Sequence, residues 1–271
     1  MEHTTSNSLV FNYLDKTFYA RDYRGTGPLL ILIHGYLENR DMWHTLTPSL
    51  TAHWRVLSLD LPGHGNAPNL PCPHSMDTMA ELIHCLLQHI GASKAVLAGH
   101  SMGGYVALAF AERYPKKLQA LILLNSSPWP DSPERRASRE RAIALVKRNR
   151  EGYLRQAIPL LFAPESRKKC ASAIQQAVHA AHKMNTQGII AALYGMLMRP
   201  DRESVLRELS CPILLVAAEE DPILDHEKLR KLAQITGVKW LSLPLGHMSH
   251  IEAPAALQEG LRPHLKALLA G

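Results

Sequence analysis

The chain has 271 residues, 46% of them hydrophobic, and a formal net charge of +6. That length and apolar content suit one large domain, or one domain carrying an insertion. No apolar run approaches the roughly 20 residues of a membrane-spanning helix, and the basic surplus lacks the interleaved aromatics or module of a nucleic-acid binder.

Much of the surplus charge falls between Arg135 and Arg155, in Arg135, Arg136, Arg139, Arg141, Lys147, Arg148 and Arg150. Such residues on amphipathic helices form a solvated face. The sharper reading is a field that draws anionic substrates or a membrane surface. The cysteines, Cys72, Cys85, Cys170 and Cys211, show no C-x-x-C spacing, which indicates neither a zinc site nor a disulfide framework. Residues 1–6 are polar, without the apolar core of a secretion signal. With unpaired thiols, this leads to the expectation of a cytoplasmic protein without stable membrane insertion.

Residues 9–13 and 17–20 have the alternation of two half-buried strands, joined by a turn at 14–16. Leu29-Leu30-Ile31-Leu32-Ile33 is continuously apolar, as a strand covered on both faces requires. It runs into His34-Gly35-Tyr36. A short helix is expected over 41–50. A buried strand over 55–59 leads into Asp60-Leu61-Pro62-Gly63-His64-Gly65, which is rich in turn residues. Helical spacing covers 76–90 and 102–113. Between them, residues 94–98 read as a short buried strand, and another strand is expected over 118–124.

Beyond Asn125 the pattern changes. Residues 126–207 contain no convincing strand and suggest helices over 133–149, 153–162, 166–184 and 186–198. Strand–helix alternation then returns, with strands over 211–218 and 238–243 and helices over 225–235 and 253–269. Alternating strands and helices imply a mostly parallel central sheet with helices on both faces. The helical stretch is therefore an insertion, with 1–125 and 208–271 forming one core domain. Ligands of such sheets bind beyond the carboxyl ends of the strands. His34, Asp60, Ser101, Asp221 and His247 all follow expected strands and share that edge.

Gly99-His100-Ser101-Met102-Gly103 fits G-x-S-x-G between a strand and a helix. A serine on that sharp turn is exposed near a positive helix N-terminus and suits nucleophilic attack. The nucleophile needs a base, and the base needs an acid that holds its tautomer. Downstream carboxylates at the right place are Glu219, Glu220, Asp221 and Asp225, and the histidines are His247 and His250. The histidine pair lacks an H-E-x-x-H frame, so no metal is expected.

Together, His34-Gly35, the 60–65 loop, the serine elbow and Gly246-His247 followed by Glu252-Ala253-Pro254 resemble the α/β-hydrolase superfamily, in its order and across nearly the whole chain. The resemblance implies an α/β-hydrolase fold with 126–207 as an all-helical cap. It selects Asp221 as the acid and His247, over its rival His250, as the base; the plain reading of His250 is a helix-entry residue near the surface. Tyr36 and Met102 become the oxyanion-hole donors, with Leu37 the near alternative to Tyr36. His34, Asp60 and His64 become loop braces. Ala218 and Asn66-Ala67 depart from the family's usual glycine and serine. Serine at the elbow disfavours the branches that use aspartate. Leu37, Trp129, Phe162, Met196 and Met248 are the expected pocket residues. No cofactor is implied. The expected function is a carboxylic-ester hydrolase acting on a small molecule through an acyl-enzyme. The alternatives are a C–C bond hydrolase or lyase on an anionic dicarbonyl, and a non-catalytic ligand-binding relative. Oligomeric state is not readable from the sequence.

Overall fold

A computed structural model describes residues 7–269; residues 1–6, the polar start, lie outside them. Strand β1 (Asn7–Tyr13) pairs antiparallel with β2 (Lys16–Asp22), Tyr13 opposite Lys16. The turn is one residue tighter than expected, because Lys16 already pairs. Leu14 and Asp15 take positive φ values of 46° and 55°, the turn geometry that matches the twist of paired strands.

The remaining strands are β3 (Leu29–Ile33), β4 (Arg55–Leu59), β5 (Ala95–His100), β6 (Leu118–Leu124), β7 (Ile213–Ala218) and β8 (Lys239–Leu243). The sheet order is β1-β2-β4-β3-β5-β6-β7-β8. Only the β1–β2 and β2–β4 pairs are antiparallel. Every residue of β3, β5 and β7 is buried, as their unbroken apolar runs demand of strands covered on both sides. Successive residues of β3 enter opposite cores: Ile31 and Ile33 one, Leu30 and Leu32 the other.

Helices α2 (Met76–His89), α3 (Met102–Arg113) and α8 (His226–Thr236) cover the first face. Helices α1 (Thr47–Leu50) and α10 (Pro254–Leu269) cover the second, with a 3₁₀ turn over Arg40–Trp43. The expected 41–50 helix is thus split. Pro48 lacks an N–H and its ring crowds the preceding turn, so it stands in the first turn of α1 rather than inside a longer helix. From β3 the chain steps outward to β4 and then returns across β3 to β5. The loops after β3 and β5 therefore diverge, opening a crevice at the carboxyl edge of the sheet.

Between β6 and β7 lie α4 (Pro133–Ala157), α5 (Ala171–His182), α6 (Thr186–Leu197) and α7 (Glu203–Glu208), with no strand among the described residues. Asn149 is non-helical inside α4, where the sequence pattern separates two helices. Its side-chain oxygen accepts the Gly152 N–H at 2.9 Å, restarting the helix. Helix α5 begins five residues later than the pattern suggests, because Ser166 is held in a turn by Ala163 and Glu252. Among the described residues no helix is long and apolar enough to cross a membrane.

Phe110 of α3 is fully enclosed in the first core, whereas Ile235 is 68% exposed. Phe110→Ala is expected to lower the urea-unfolding free energy by about 3–5 kcal/mol, and Ile235→Ala by no more than about 0.5 kcal/mol.

Candidate active site

Ser101 sits between β5 and α3 with φ 49° and ψ −114°, a conformation that costs a non-glycine residue about 1–3 kcal/mol. The surroundings impose it. The Ser101 N–H donates to Leu124 O at 3.0 Å, and the Ser101 carbonyl accepts from Gly104 N (2.9 Å) and Ser126 Oγ (2.8 Å). A Cβ on Gly99 would strike the Gly103 carbonyl, and one on Gly103 the Ile33 carbonyl. Only glycine lets strand and helix approach this closely.

His247 Nδ1 lies 2.7 Å from Asp221 Oδ2, and His247 Nε2 lies 2.9 Å from Ser101 Oγ. A carboxylate only accepts, so the proton resides on Nδ1. Nε2 is then free to accept from the Ser101 hydroxyl. Asp221 is aimed by its other oxygen, which accepts the N–H groups of Ile223 (2.7 Å) and Leu224 (3.1 Å). The competing carboxylates are engaged elsewhere. Glu219 accepts from Ser242 and is exposed with Glu220, while Asp225 caps α8 through the Lys228 N–H.

A second set of residues, not singled out by motif, holds the histidine. The His247 carbonyl accepts from Asn125 Nδ2 at 2.7 Å and lies 2.9 Å from His100 Nε2. Asn125 also receives the Ala218 N–H and donates to Ser249 Oγ, linking the ends of β6 and β7 to the His247 loop. The other His100 nitrogen, Nδ1, faces Glu38 Oε2 at 2.7 Å. Both neighbours of the ring are acceptors, so both nitrogens must donate and His100 is an imidazolium. Burial opposes that charge, but Glu38 and its hydrogen bond hold the His100 pKa above its ordinary value. Burial likewise opposes the Glu38 carboxylate, yet His100 keeps its pKa at about 2. Glu38 further accepts the Gly35 N–H at 2.6 Å.

His250 corrects an expectation. It is buried rather than near the surface, its Nε2 3.4 Å from Glu38 Oε1, and it makes no hydrogen bond to Ser101. The one-turn helix α9 (Ser249–Glu252) turns the side chain inward beneath the His247 loop. From α9, Glu252 accepts the N–H groups of Met248 (3.1 Å) and Ala163 (3.0 Å) and the Ser166 hydroxyl. It thereby joins the His247 loop to the segment between α4 and α5. The loops after β3 and β4 are braced internally: His34 Nε2 accepts the Leu61 N–H at 2.9 Å. Asp60 accepts the N–H groups of Arg40 (2.8 Å) and Asn66 (3.0 Å). Asn66, which replaces the family's serine, thus braces through its main chain.

A cavity of about 380 Å³ opens above Ser101 and His247, a size suited to a small molecule. Tyr36, Leu37, Tyr105 and Met248 line its sheet side, and Arg135, Arg139, Leu145 and Tyr153 of α4 its roof, with Met196 of α6. Trp129 and Phe162, also expected there, are not among the lining residues. The Trp129 indole donates to Glu203 at 2.8 Å and carries Lys228 on its face, while Phe162 is wholly buried in the first core. Met102 is the first residue of α3, where an N–H has no intrahelical acceptor.

Residues 28–169 match the model of the α/β hydrolase fold family. The chain belongs to that family. It is 30% identical to a thermophilic esterase from Thermogutta terrifontis solved with malate bound, with a TM-score of 0.88 over 98% of this chain and 99% of that one. It is 29% identical over 245 residues to a putative carbamate hydrolase of Pseudomonas savastanoi, covering 89% of this chain and 94% of the relative. A dihydrolipoyllysine-residue acetyltransferase component from Pseudomonas putida is 29% identical over 244 residues, 89% of this chain; the match spans only 64% of that relative.

In this α/β hydrolase, Glu38, His100 and His250 place three metal-capable side chains within 4.8 Å of one another. Glu38 Oε2 and both His100 nitrogens are already committed, to each other, to the Gly35 N–H and to the His247 carbonyl, while Glu38 Oε1 and His250 Nδ1 have no hydrogen-bond partner. A metal there would break the hold on the His247 carbonyl.

Burial, the largest cause, pushes the pKa of both His64 and His250 down to about 3. Both are therefore neutral in the folded protein from pH 6.5 to pH 3, while in the unfolded chain they protonate below about 6.5. The unfolded state binds more protons, so stability falls as pH falls across that window. Glu38 adds to the loss below its unfolded value of 4.5. His100 acts in the opposite sense, losing its contribution as pH rises through its elevated pKa. Urea midpoints measured from pH 7 to pH 4.5 should drop steeply; a flat profile contradicts the buried neutral histidines.

Proposed function

We propose that this chain is a serine hydrolase that cleaves carboxylic esters of small molecules through an acyl-enzyme. The observation that carries the reading is the unbroken hydrogen-bond chain Ser101–His247–Asp221 at the floor of a small cavity. In this reading Ser101 Oγ attacks the ester carbonyl while His247 Nε2 takes its proton. Asp221 keeps the His247 proton on Nδ1 and stabilises the imidazolium that forms. The N–H groups of Met102 and Tyr36 receive the developing oxyanion. His247 then protonates the departing alcohol. A water activated by the same nitrogen hydrolyses the acyl-enzyme, returning Ser101 and a carboxylic acid.

Residues 126–207 act in this scheme as a cap. Support comes from the cavity roof, which α4 and α6 supply, and from Glu252, which links the His247 loop to Ala163 and Ser166. The esterase and hydrolase names of two relatives are consistent with the reading. Ala218, in place of the family's usual glycine, still donates its N–H to Asn125.

A fluorophosphonate probe should label Ser101 in the folded protein. On a panel of p-nitrophenyl esters, a lactone and a C–C substrate, Ser101→Ala is expected to lower ester kcat by about three orders of magnitude or more; retained turnover places the nucleophile elsewhere. His247→Ala should cost about as much. His250→Ala should lose far less in kcat, and the reverse ranking would overturn the assignment of the base.

A further inference from the structure

The roof of the cavity carries more positive charge than the protein neutralises. Arg135, three residues inside α4 from its capping Ser132, lines the cavity and donates one Nη2–H to the Ile223 carbonyl at 2.6 Å. Among the described residues no carboxylate lies within ion-pair distance of it. One turn on, Arg139 also lines the cavity, gripped by Asp131 through Nε (2.6 Å) and Nη2 (3.2 Å). Asp131 is simultaneously the partner of Arg199 (2.8 Å), whose guanidinium lies 4.1 Å from the centre of the Tyr105 ring. Two guanidiniums therefore share the one carboxylate beside the cavity, and Arg135 has none.

Glu38 is the only carboxylate among the described residues lining that cavity, and His100 and the Gly35 N–H already hold it. Burial, and then the neighbouring Arg139, push the Arg135 pKa below the usual arginine value. A guanidinium stays protonated even so. A half-buried cation without a counter-charge is costly, and an anion seated against it recovers that cost. Ala142, Leu145, Leu160 and Leu161 give the roof an apolar stretch, beside the polar Ser138, Arg141, Tyr153 and Gln156. An occupant with an apolar body and an anionic end fits that lining.

We propose that Arg135 is an anion subsite of the cavity, with Arg139 reinforcing its field, and that the ester cleaved at Ser101 carries a carboxylate. The substrate class rests on the ester-hydrolase reading; the subsite itself does not. The planar fork of arginine matches a carboxylate in two-pronged geometry, and Asp131 keeps Arg139 oriented without consuming the charge of Arg135.

The test compares mono-p-nitrophenyl glutarate with p-nitrophenyl hexanoate, a neutral ester of similar length. The wild type should show a higher kcat/KM for the anionic ester. The anionic-to-neutral ratio should fall about tenfold or more in Arg135→Gln and be partly restored in Arg135→Lys. Arg148→Gln, on the exposed side of α4, should leave the ratio unchanged; an equal fall there would make the effect a diffuse field and overturn the subsite. A second measurement avoids turnover. Calorimetric titration of glutarate into Ser101→Ala should detect one site, weakened about tenfold when Arg135→Gln is added. Glutarate binding that depends on Arg135, without cleavage of either ester, keeps the subsite and refutes the ester-hydrolase reading. Cleavage of the neutral ester with no preference for the anion and no glutarate binding refutes the subsite alone.

Discussion

The backbone carbonyl of His247 is the point on which the site turns. The histidine lies 146 residues from Ser101 along the chain, on a loop with no regular structure of its own. Two buried donors, Asn125 and His100, fix its carbonyl, while its ring spans Asp221 and Ser101. One donor comes from the end of β6 and the other from the end of β5. The loop is thus registered against the strands that flank the serine elbow. Rotamer freedom of a histidine is small once both ring nitrogens and the carbonyl are engaged. Such preorganisation is what the proposed role of His247 as a base requires.

That hold depends in turn on a buried charge pair. His100 can donate at both nitrogens only as an imidazolium, and Glu38 supplies the compensating charge from the loop after β3. Isolated, either charge would be expelled from the interior or neutralised. Paired at 2.7 Å, with the Gly35 N–H on the same carboxylate oxygen and the His247 carbonyl on the far side of the imidazolium, they persist. The same glutamate accepts the Gly35 N–H, so the loop bearing Tyr36 and Leu37 is set by the group that sets His247. The proposed nucleophile, oxyanion donors and base are therefore coupled through Glu38, His100 and His247.

The helices between β6 and β7 are built by a different logic. Helix α4 is largely exposed, with only Ile143, Val146 and Leu154 buried, and the basic residues of this stretch that bear on the cavity divide into two kinds. Arg139 and Arg199 are internal struts on Asp131, whereas Arg135 reaches the cavity with its charge uncompensated. The basic run that composition assigns to a solvated face thus has an inner side that lines the cavity.

Local chemistry made much of this protein readable from sequence. Unbroken apolar runs required strands covered on both faces, alternation with helices required a parallel sheet, and Gly99 and Gly103 marked a turn too crowded for any side chain. The pattern of G-x-S-x-G and Gly246-His247 also picked out Ser101 and His247, which the fold brings within hydrogen-bond distance. Only tertiary structure decided what fills the space around them. Glu38 and Asn125 belong to no short motif, because His100 lies 62 residues from the first and His247 lies 122 from the second. Trp129 and Phe162 looked like pocket walls, since large apolar side chains give the same sequence signal whether they face a cavity or a core. His250 carries no mark of burial, because a one-turn helix has no periodicity to reveal its inner face. Spacing along the chain encodes which atoms can neighbour one another within an element. Which charges go unpaired, and which side chains meet a ligand, depends on elements far apart in sequence and is settled only when they pack.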